Sequence, residues 1–235
     1  MKVVNCTVKS IESLTTIVHK VVLTPQSDIT FKAGQYCQVV MGPEDKRPFS
    51  IANPSHELSY IELHIGADPV NTYAYEVLEK CRQEGELALE VALGDAFLRE
   101  DEKPAIVVAG GTGYSYAKSI VYTCLHEQPK RKISLYWGAK NAQDLYEIQE
   151  LTALSALHEN FSFHPVIENL DSIENDTWHG HIGFVHKAVM KDYPQLTGNQ
   201  VYSAGRFEMS ATIRDEYLPI GLDRNDLFGD AYAFI

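Results

Sequence analysis

The stretch Val107-Val108-Ala109-Gly110-Gly111-Thr112-Gly113-Tyr114-Ser115 decides how the second half of the chain is interpreted. It joins an uninterrupted apolar run to an amphipathic segment through a turn with three glycines. Such a strand–turn–helix junction lets backbone N–H groups and the positive end of a helix approach a phosphate closely. Tyr116 stands where G-x-G-x-x-G needs its third glycine, and no G-K-[ST] follows. A structural turn and a nucleotide-binding turn therefore both fit, and the position after the first strand of a parallel sheet favours binding.

Apolar runs and helical segments alternate through the part of the chain that follows residue 103. The apolar runs lie at residues 105–109, 133–137, 161–167 and 201–204. The segment 115–127, between the first two runs, has the apolar spacing of a helix. Uninterrupted apolar strands between such helices are typical of a parallel sheet covered on both faces. A second glycine turn, within Tyr202–Met209, follows the last run, and we expect both turns to flank one crevice at the carboxyl ends of the strands.

Residues 1–99 show a period of two instead. Segments at 18–23, 35–40 and 60–65 alternate apolar and polar residues, as half-buried strands do. Closely spaced turn dipeptides separate them, which suits a small closed antiparallel barrel. One helix is predicted at 71–83, with Asn71 as its N-cap; its expected apolar stripe consists of Tyr73, Val77, Leu78 and Cys81.

The two rhythms together predict a fold of the class β-barrel plus α/β. An antiparallel barrel domain at 1–99 is followed by a parallel-sheet domain at 104–235, with the joint in the charged segment Glu100–Pro104. The boundary follows the change from alternating to uninterrupted apolar strands.

Composition limits the possible partners. The 235 residues are 45% apolar and 22% charged, which is ordinary for a soluble protein, and the net charge is −12. Nucleic acid is not an expected partner, because phosphate backbones require a basic surface. No apolar run approaches the roughly 18–20 residues of a membrane span, and Met1–Asn5 lacks the apolar centre of a signal peptide. We therefore expect a cytoplasmic protein with no membrane contact.

A further motif, K-R-P-F-S-I-A-N, lies in the barrel half at 46–53. Pro48 removes a ladder donor and holds Arg47 extended, and Ser50 stands between the apolar Phe49 and Ile51. With the two glycine turns, this motif resembles the ferredoxin–NADP reductase superfamily. Within it, the chain is similar to the bacterial NAD(P)H:flavin oxidoreductases, which include the reductase paired with bacterial luciferase. The matching blocks are Asp45–Ala52, Glu62–Gly66, Ala109–Ser115, Ala204–Met209 and Phe228–Ile235.

The resemblance implies roles for individual residues. Ser50 would be catalytic, hydrogen-bonding near N5 of the flavin ring, and Arg47 would lie near the polar side chain of the flavin. The implied flavin-binding residues are Arg47, Pro48, Phe49, Ser50, His64, Ile65 and Phe234. The implied nicotinamide nucleotide-binding residues are Gly110, Gly111, Thr112, Gly113, Tyr114, Gly205, Arg206 and Met209.

The chain departs from the superfamily pattern in two places. Members that hold FAD or FMN permanently carry a later G-x-x-S/T segment that binds the flavin phosphate, whereas here Gly66 is followed by Ala67, Asp68 and Pro69. An anion repels a phosphate and proline lacks a donor, so we expect flavin to be held weakly. Ala204 stands where many superfamily reductases have a cysteine facing the nicotinamide, so positioning must replace any thiol role.

The expected activity is hydride transfer from NADPH or NADH to a flavin that binds as a dissociable substrate: riboflavin, FMN or FAD. The reduced flavin would pass to a monooxygenase or luciferase. The alternatives are a flavoprotein with tightly bound FAD that passes electrons to a protein partner, and a non-catalytic nucleotide-sensing module. Lys140 follows the second apolar run and could accept a 2′-phosphate, which favours use of both nucleotides, although a solvated loop lysine fits equally well.

Metal binding is not expected from the sequence. His179, His181 and His186 lie in a stretch rich in turn residues, and no carboxylate or cysteine beside them completes a ligand set. The four cysteines have no zinc or iron–sulfur spacing and are interpreted as buried thiols.

Overall fold

A computed structural model describes residues 3–68, 70, 72–169 and 178–235. The first of its two sheets contains β1 (Val3–Ser13), β2 (Val18–Pro25), β3 (Tyr36–Val40), β4 (Lys46–Ser50), β5 (Ile61–Gly66) and β6 (Glu86–Leu93). Their spatial order is β4-β3-β6-β1-β2-β5, and every neighbouring pair is antiparallel. Just past β4, the N–H of Ala52 donates to the carbonyl of Glu62 over 2.8 Å and links the two end strands. This sheet confirms the predicted antiparallel barrel.

Strand β5 shows how the alternating pattern places side chains. Ile61, Leu63 and Ile65 are fully buried in the barrel core. Because successive side chains of a strand point to opposite faces, Glu62 and His64 lie on the other face, towards the second half of the chain.

The helix α1 (Thr72–Glu84) packs against the barrel core. Val77, Leu78 and Cys81 are buried as predicted. Tyr73 was expected in the same stripe, and that prediction is wrong: its side chain is 46% exposed and Ala74 is buried instead. The ring of Tyr73 lies against the Arg47 guanidinium, 4.8 Å from its centroid. The predicted N-cap, Asn71, lies outside the described residues.

The second sheet contains β7 (Ala105–Gly110), β8 (Ile133–Ala139), β9 (Phe161–Ile167), β10 (His181–Ile182), β11 (Gln200–Ala204) and β12 (Leu227–Phe228). All its neighbouring pairs are parallel, in the order β10-β9-β8-β7-β11-β12. The helices are α2 (Tyr114–Glu127), α3 (Ile148–Leu157), α4 (Val185–Asp192) and α5 (Phe207–Tyr217). Side chains of α2 and α3 pack on the sheet face nearer the barrel, and those of α4 and α5 on the opposite face. The predicted class, β-barrel plus α/β, is confirmed.

Hydrogen bonds join α2 to loops of the barrel half of the chain. The hydroxyl of Tyr116 donates to the carbonyl of Ala96 over 2.5 Å, and Ser119 Oγ donates to the carbonyl of Asn53 over 2.8 Å. We propose 1–99 and 104–235 as the two domains. Among the described residues, no helix has both the length and the apolar character needed to cross a membrane.

Candidate active site

The two glycine turns meet where the strand order reverses. The chain builds β8, β9 and β10 on one side of β7 and then places β11 on the other. A methyl group on Gly113 would lie 2.3 Å from the carbonyl oxygen of Ala204, and one on Gly205 would lie 3.4 Å from Cα of Gly110. These backbones touch, and glycine permits that approach because it has no side chain. Open α/β sheets bind ligands in the crevice at such a reversal.

Gly111 leaves the floor of this crevice open. Its φ is +54°, in the left-handed region, and nothing lies within 4 Å of the position of a Cβ. The 3-10 turn Gly111–Gly113 leads directly into α2. Unpaired N–H groups at a helix N-terminus favour an anion, so a nucleotide pyrophosphate suits this place.

Tyr114, predicted as a nucleotide-binding residue, has its side chain in the core. It is fully buried and stacks on Trp137 with the ring centroids 3.9 Å apart. The Tyr114 hydroxyl donates to Glu147 Oε2 over 2.6 Å. A nucleotide in the crevice can therefore reach only the backbone of Tyr114.

The other predicted nucleotide-binding residues form the rim. Thr112 and Arg206 are exposed, and Met209 packs against Gly110 and Gly205. A Cβ on Gly66, at the end of β5, would lie 3.2 Å from Cγ2 of Thr112. The rim of the crevice therefore contacts the barrel.

Arg47 is buried and bound by protein groups. Its Nε and Nη2 donate to the two carboxylate oxygens of Asp45 over 2.9 and 2.6 Å, Nη2 also donates to Glu76 over 2.7 Å, and Nη1 donates to the carbonyl of Tyr73 over 2.5 Å. A guanidinium has five N–H donors, so one Nη1–H is left. Arg47 can still contact a flavin through that donor, but its charge is already balanced by two carboxylates.

The Ser50 hydroxyl, unlike most of the Arg47 guanidinium, is available to a ligand. It is half-buried at the end of β4, opposite Tyr36 of β3, and its hydroxyl has no hydrogen-bond partner among the described residues. Phe49 packs its ring against the barrel core, while Pro48 is exposed. An unpartnered, accessible hydroxyl can orient a polar atom of a ligand, as the catalytic prediction for Ser50 requires.

His64 and Ile65 were both predicted to bind flavin. The Ile65 side chain is fully buried in the barrel, so only its backbone can reach a ligand. The His64 ring is also buried; its Nε2 lies 2.8 Å from Glu62 Oε1 and its Nδ1 lies 2.9 Å from the Tyr146 hydroxyl. A carboxylate can only accept, so Nε2 donates. The two ring nitrogens of His64 are used inside the protein.

The same network continues to Lys118, which links the domains. Its ammonium lies 3.0 Å from Glu62 and 2.8 Å from Glu147, and all three side chains are nearly buried. Burial opposes the charge of Lys118, but the two carboxylates outweigh burial and raise its pKa. Burial raises the pKa of Glu62, but His64 and Lys118 outweigh burial and lower that pKa to about 2. The network therefore holds one cation between two anions at the domain junction.

Two residues near Ser50 were not predicted from the sequence. A Cβ on Gly94 would lie 2.8 Å from Asp230 Oδ1 and 2.9 Å from the Tyr36 ring, so Asp230 lies close to Tyr36, the β3 partner of Ser50. Burial, together with the charge of Asp95, raises the pKa of Asp230 to about 6. Asp230 belongs to the C-terminal block that carried the resemblance, which is the one sequence signal for it.

Phe234, predicted to bind flavin, lies in the C-terminal segment near the second glycine turn. It is 77% exposed and meets Phe207 edge to face, with centroids 6.2 Å apart. Exposed aromatic rings beside a crevice offer a stacking surface for a planar ligand.

Asp68 follows β5, where the missing phosphate-binding segment was expected. It is exposed, and its Oδ1 accepts from the N–H of Val70 over 2.9 Å. A carboxylate therefore takes a backbone donor that a phosphate could otherwise use. Pro69, the other part of that prediction, lies outside the described residues.

A closed antiparallel barrel joined to a parallel nucleotide-binding sheet, with a crevice at their junction, defines the ferredoxin reductase-like oxidoreductases. A ferredoxin NADP⁺ reductase from Neisseria gonorrhoeae, solved with FAD and NADP, shares this fold with a TM-score of 0.80, 18% identity, and coverage of 97% of this chain and 98% of that one. A cytochrome P450 reductase from Amycolatopsis gives a TM-score of 0.83 at 24% identity, covering 97% of this chain and 69% of that one.

Proteins of similar sequence identify the family to which the chain belongs within this class of oxidoreductases. Residues 107–215 match the oxidoreductase NAD-binding domain family. The chain is 41% identical to the NAD(P)H-flavin reductase of Aliivibrio fischeri and 40% identical to that of Vibrio harveyi, over 99% of both chains in each case. The chain belongs to the NAD(P)H-flavin reductases, as the resemblance implied. It is an oxidoreductase of nicotinamide nucleotides and flavins.

Proposed function

We propose that this protein transfers a hydride from NADH or NADPH to a free flavin, which enters and leaves as a substrate. Riboflavin, FMN and FAD all qualify, because recognition would rest on the ring and the ribityl chain. The alternative, tightly bound FAD that serves a protein partner, would need a firm hold on the flavin phosphate.

The carboxylates around Arg47 carry this proposal. Asp45 and Glu76 pair with the Arg47 guanidinium, Lys46 pairs with Glu90, and Asp68 adds a further acidic group where a phosphate would be bound. A phosphomonoester bears roughly −1.5 to −2 charge at pH 7, so this set of groups disfavours firm phosphate binding. Reduced flavin can then dissociate.

The residues of the crevice would supply position rather than acid–base chemistry. Hydride passes directly between the two ring systems once their reacting atoms are about 3–3.5 Å apart. Gly110, Gly113 and Gly205 let the two glycine turns pack together, Gly111 would leave room for the nucleotide at the backbone, and Ser50 would orient the flavin ring through its free hydroxyl. Ser50→Ala should lower kcat at least about 10-fold, with KM for NADH nearly unchanged. An unchanged kcat in a folded variant excludes the role of Ser50.

Flavin retention tests the proposal directly. The protein is purified, desalted and examined by absorbance for bound flavin, and NADH oxidation is then measured with each of the three flavins. We expect a colourless protein and saturable turnover with riboflavin as well as FMN. A protein that keeps stoichiometric flavin through desalting contradicts the proposal and favours the tightly bound FAD alternative. Nucleotide binding without turnover would identify a sensing module instead.

We propose that both nucleotides are used. Lys140 is exposed directly after β8, beside the crevice side of the sheet, and a lysine there tolerates the 2′-phosphate of NADPH without requiring it. Lys140→Ala should raise KM for NADPH more than KM for NADH. Equal changes in both constants would remove Lys140 from nucleotide selection.

We propose a flavin-dependent monooxygenase or luciferase as the acceptor of the reduced flavin, since the released product is a diffusible two-electron donor. In a coupled assay with NADH and FMN, a luciferase supplied only through this protein should emit light. Absence of light, despite measured FMN reduction, would exclude that acceptor.

A further inference from the structure

Two histidines and an aspartate meet on the face of the parallel sheet that is turned away from the barrel. His164 lies on β9, His181 on the neighbouring β10, and Asp192 ends the helix α4. His181 Nε2 lies 3.2 Å from Asp192 Oδ2, and His164 Nδ1 lies 3.7 Å from the same oxygen. One ligand atom from each side chain falls within 4.8 Å of the other two.

These separations match the spacing of ligands around a single metal ion. Zinc–nitrogen and zinc–oxygen bonds of about 2.0–2.2 Å in a tetrahedral site put neighbouring ligand atoms roughly 3.3–3.6 Å apart. The two contacts to Asp192, at 3.2 and 3.7 Å, lie just below and just above that range. Small side-chain rotations would therefore bring all three groups onto one ion.

Tyr136 contacts both Asp192 and His164, as residues that surround the ligands of a metal site do. Its hydroxyl donates to Asp192 Oδ2 over 2.7 Å, and its ring stacks on His164 with centroids 4.2 Å apart and planes 4° from parallel. Tyr136 is fully buried on β8, so it fixes both ligands from the core side. Metal ligands are commonly oriented by such hydrogen-bonded neighbours.

We propose that His164, His181 and Asp192 form a binding site for a divalent transition metal, with Zn²⁺ as the fitting ion. Two imidazoles and one carboxylate suit zinc, and three protein ligands leave a fourth position for water. The side chains are 18–30% exposed, so an ion can enter from solvent. The site would join β9, β10 and α4, and it lies apart from the crevice of the proposed reaction.

Zn²⁺ titration of the chain, without a histidine tag and after chelator treatment, tests the site. We expect one high-affinity Zn²⁺ per chain by calorimetry. At a free Zn²⁺ concentration of about 100 times Kd, Tm should rise by about 5–10 °C. His181→Ala and Asp192→Asn should each weaken binding by more than about 100-fold, and Tyr136→Phe by about 10–100-fold.

Control variants separate this site from other histidines. His126, with His56 and Glu127, forms a second and fully exposed group, and His179 is exposed close to His181. His126→Ala and His179→Ala should leave the high-affinity Zn²⁺ in place. Zn²⁺ binding that survives in folded His181→Ala and Asp192→Asn, that is lost in His126→Ala, or that is absent from the starting protein overturns the proposal. The three residues would then form only an ion-pair cluster.

Discussion

Glu76→Gln should make the protein bind FMN more tightly while leaving riboflavin binding unchanged. Glu76 lies 2.7 Å from Arg47 and is 53% exposed. With one positive and two negative charges, the group of Arg47, Asp45 and Glu76 is formally anionic. Replacing the Glu76 carboxylate by an amide makes the group neutral and keeps its shape, so only a phosphorylated flavin should sense the change.

The magnitude follows from the exposure of Glu76. An exposed pair of unit charges contributes about 0.2–1 kcal/mol. For a phosphate of nearly two charges this interaction energy doubles. Removing the Glu76 charge then favours FMN binding by about 0.4–2 kcal/mol, which lowers Kd for FMN about 2- to 30-fold. The effect should decrease as salt is added, because exposed charges are screened.

Fluorescence quenching of FMN and riboflavin measures both dissociation constants. Glu79→Gln is the matched control, because Glu79 lies on the same helix and pairs with Arg82 rather than Arg47. The ratio of the riboflavin Kd to the FMN Kd should rise in Glu76→Gln and stay constant in Glu79→Gln. If the two variants give the same ratio, Arg47 does not contact the phosphate end of the flavin, and the reasoning fails.

Three further predictions concern the glycine crevice, the buried network and the C-terminal acid. Gly113→Ala forces a methyl group against a backbone carbonyl, so it should cost about 1–3 kcal/mol of stability and raise KM for NADH. Gly42→Ala, the control, has room for its methyl group and should change neither quantity. Thermal melts measure the stability, and steady-state assays measure KM. Lys118→Met leaves two nearly buried carboxylates without their cation and should lower the free energy of unfolding, measured by urea titration, by about 3–5 kcal/mol. Lys187→Met, the control at an exposed ion pair, should lower it by less than about 1 kcal/mol. The pKa of Asp230 is raised to about 6 in the folded protein, so the folded state binds a proton that the unfolded chain has already lost, and the stability from this group falls as pH rises from about 4 to 6. Asp230→Asn should therefore be more stable than the parent by about 1–3 kcal/mol at pH 7 and equal to it near pH 4. An equal difference at both pH values would contradict this.

The fold could be predicted because its signals are local. The change from alternating to uninterrupted apolar strands lies in the sequence itself, and so does the glycine turn after β7. Where a prediction failed, a distant contact decided the outcome. Tyr73 left the apolar stripe of α1 because its ring lies on the Arg47 guanidinium, which comes from another strand.

The candidate site could be predicted only in part, for the same reason. The meeting of the two glycine turns followed from the rule for parallel sheets. The environment of Arg47 could not be predicted in this way, because its partner Glu76 lies on a helix, 29 residues further along the chain. The His64 ring contacts Tyr146 of the second domain, and no local pattern shows which face of β5 that domain covers. The proposed metal-binding group of His164, His181 and Asp192 was not predicted, because its residues come from β9, β10 and α4 and no local spacing connects them.

The buried network at the domain junction restricts how this enzyme can be recombined with its relatives. A chimera that takes its barrel from one reductase and its nucleotide-binding domain from another brings together Glu62 of one parent with Lys118 and Glu147 of the other. If the incoming domain lacks the lysine, Glu62 is left in the junction without a cation. These three positions therefore have to be exchanged as a unit, and compatibility at residues 62, 118 and 147 is a better guide to a working hybrid than overall identity.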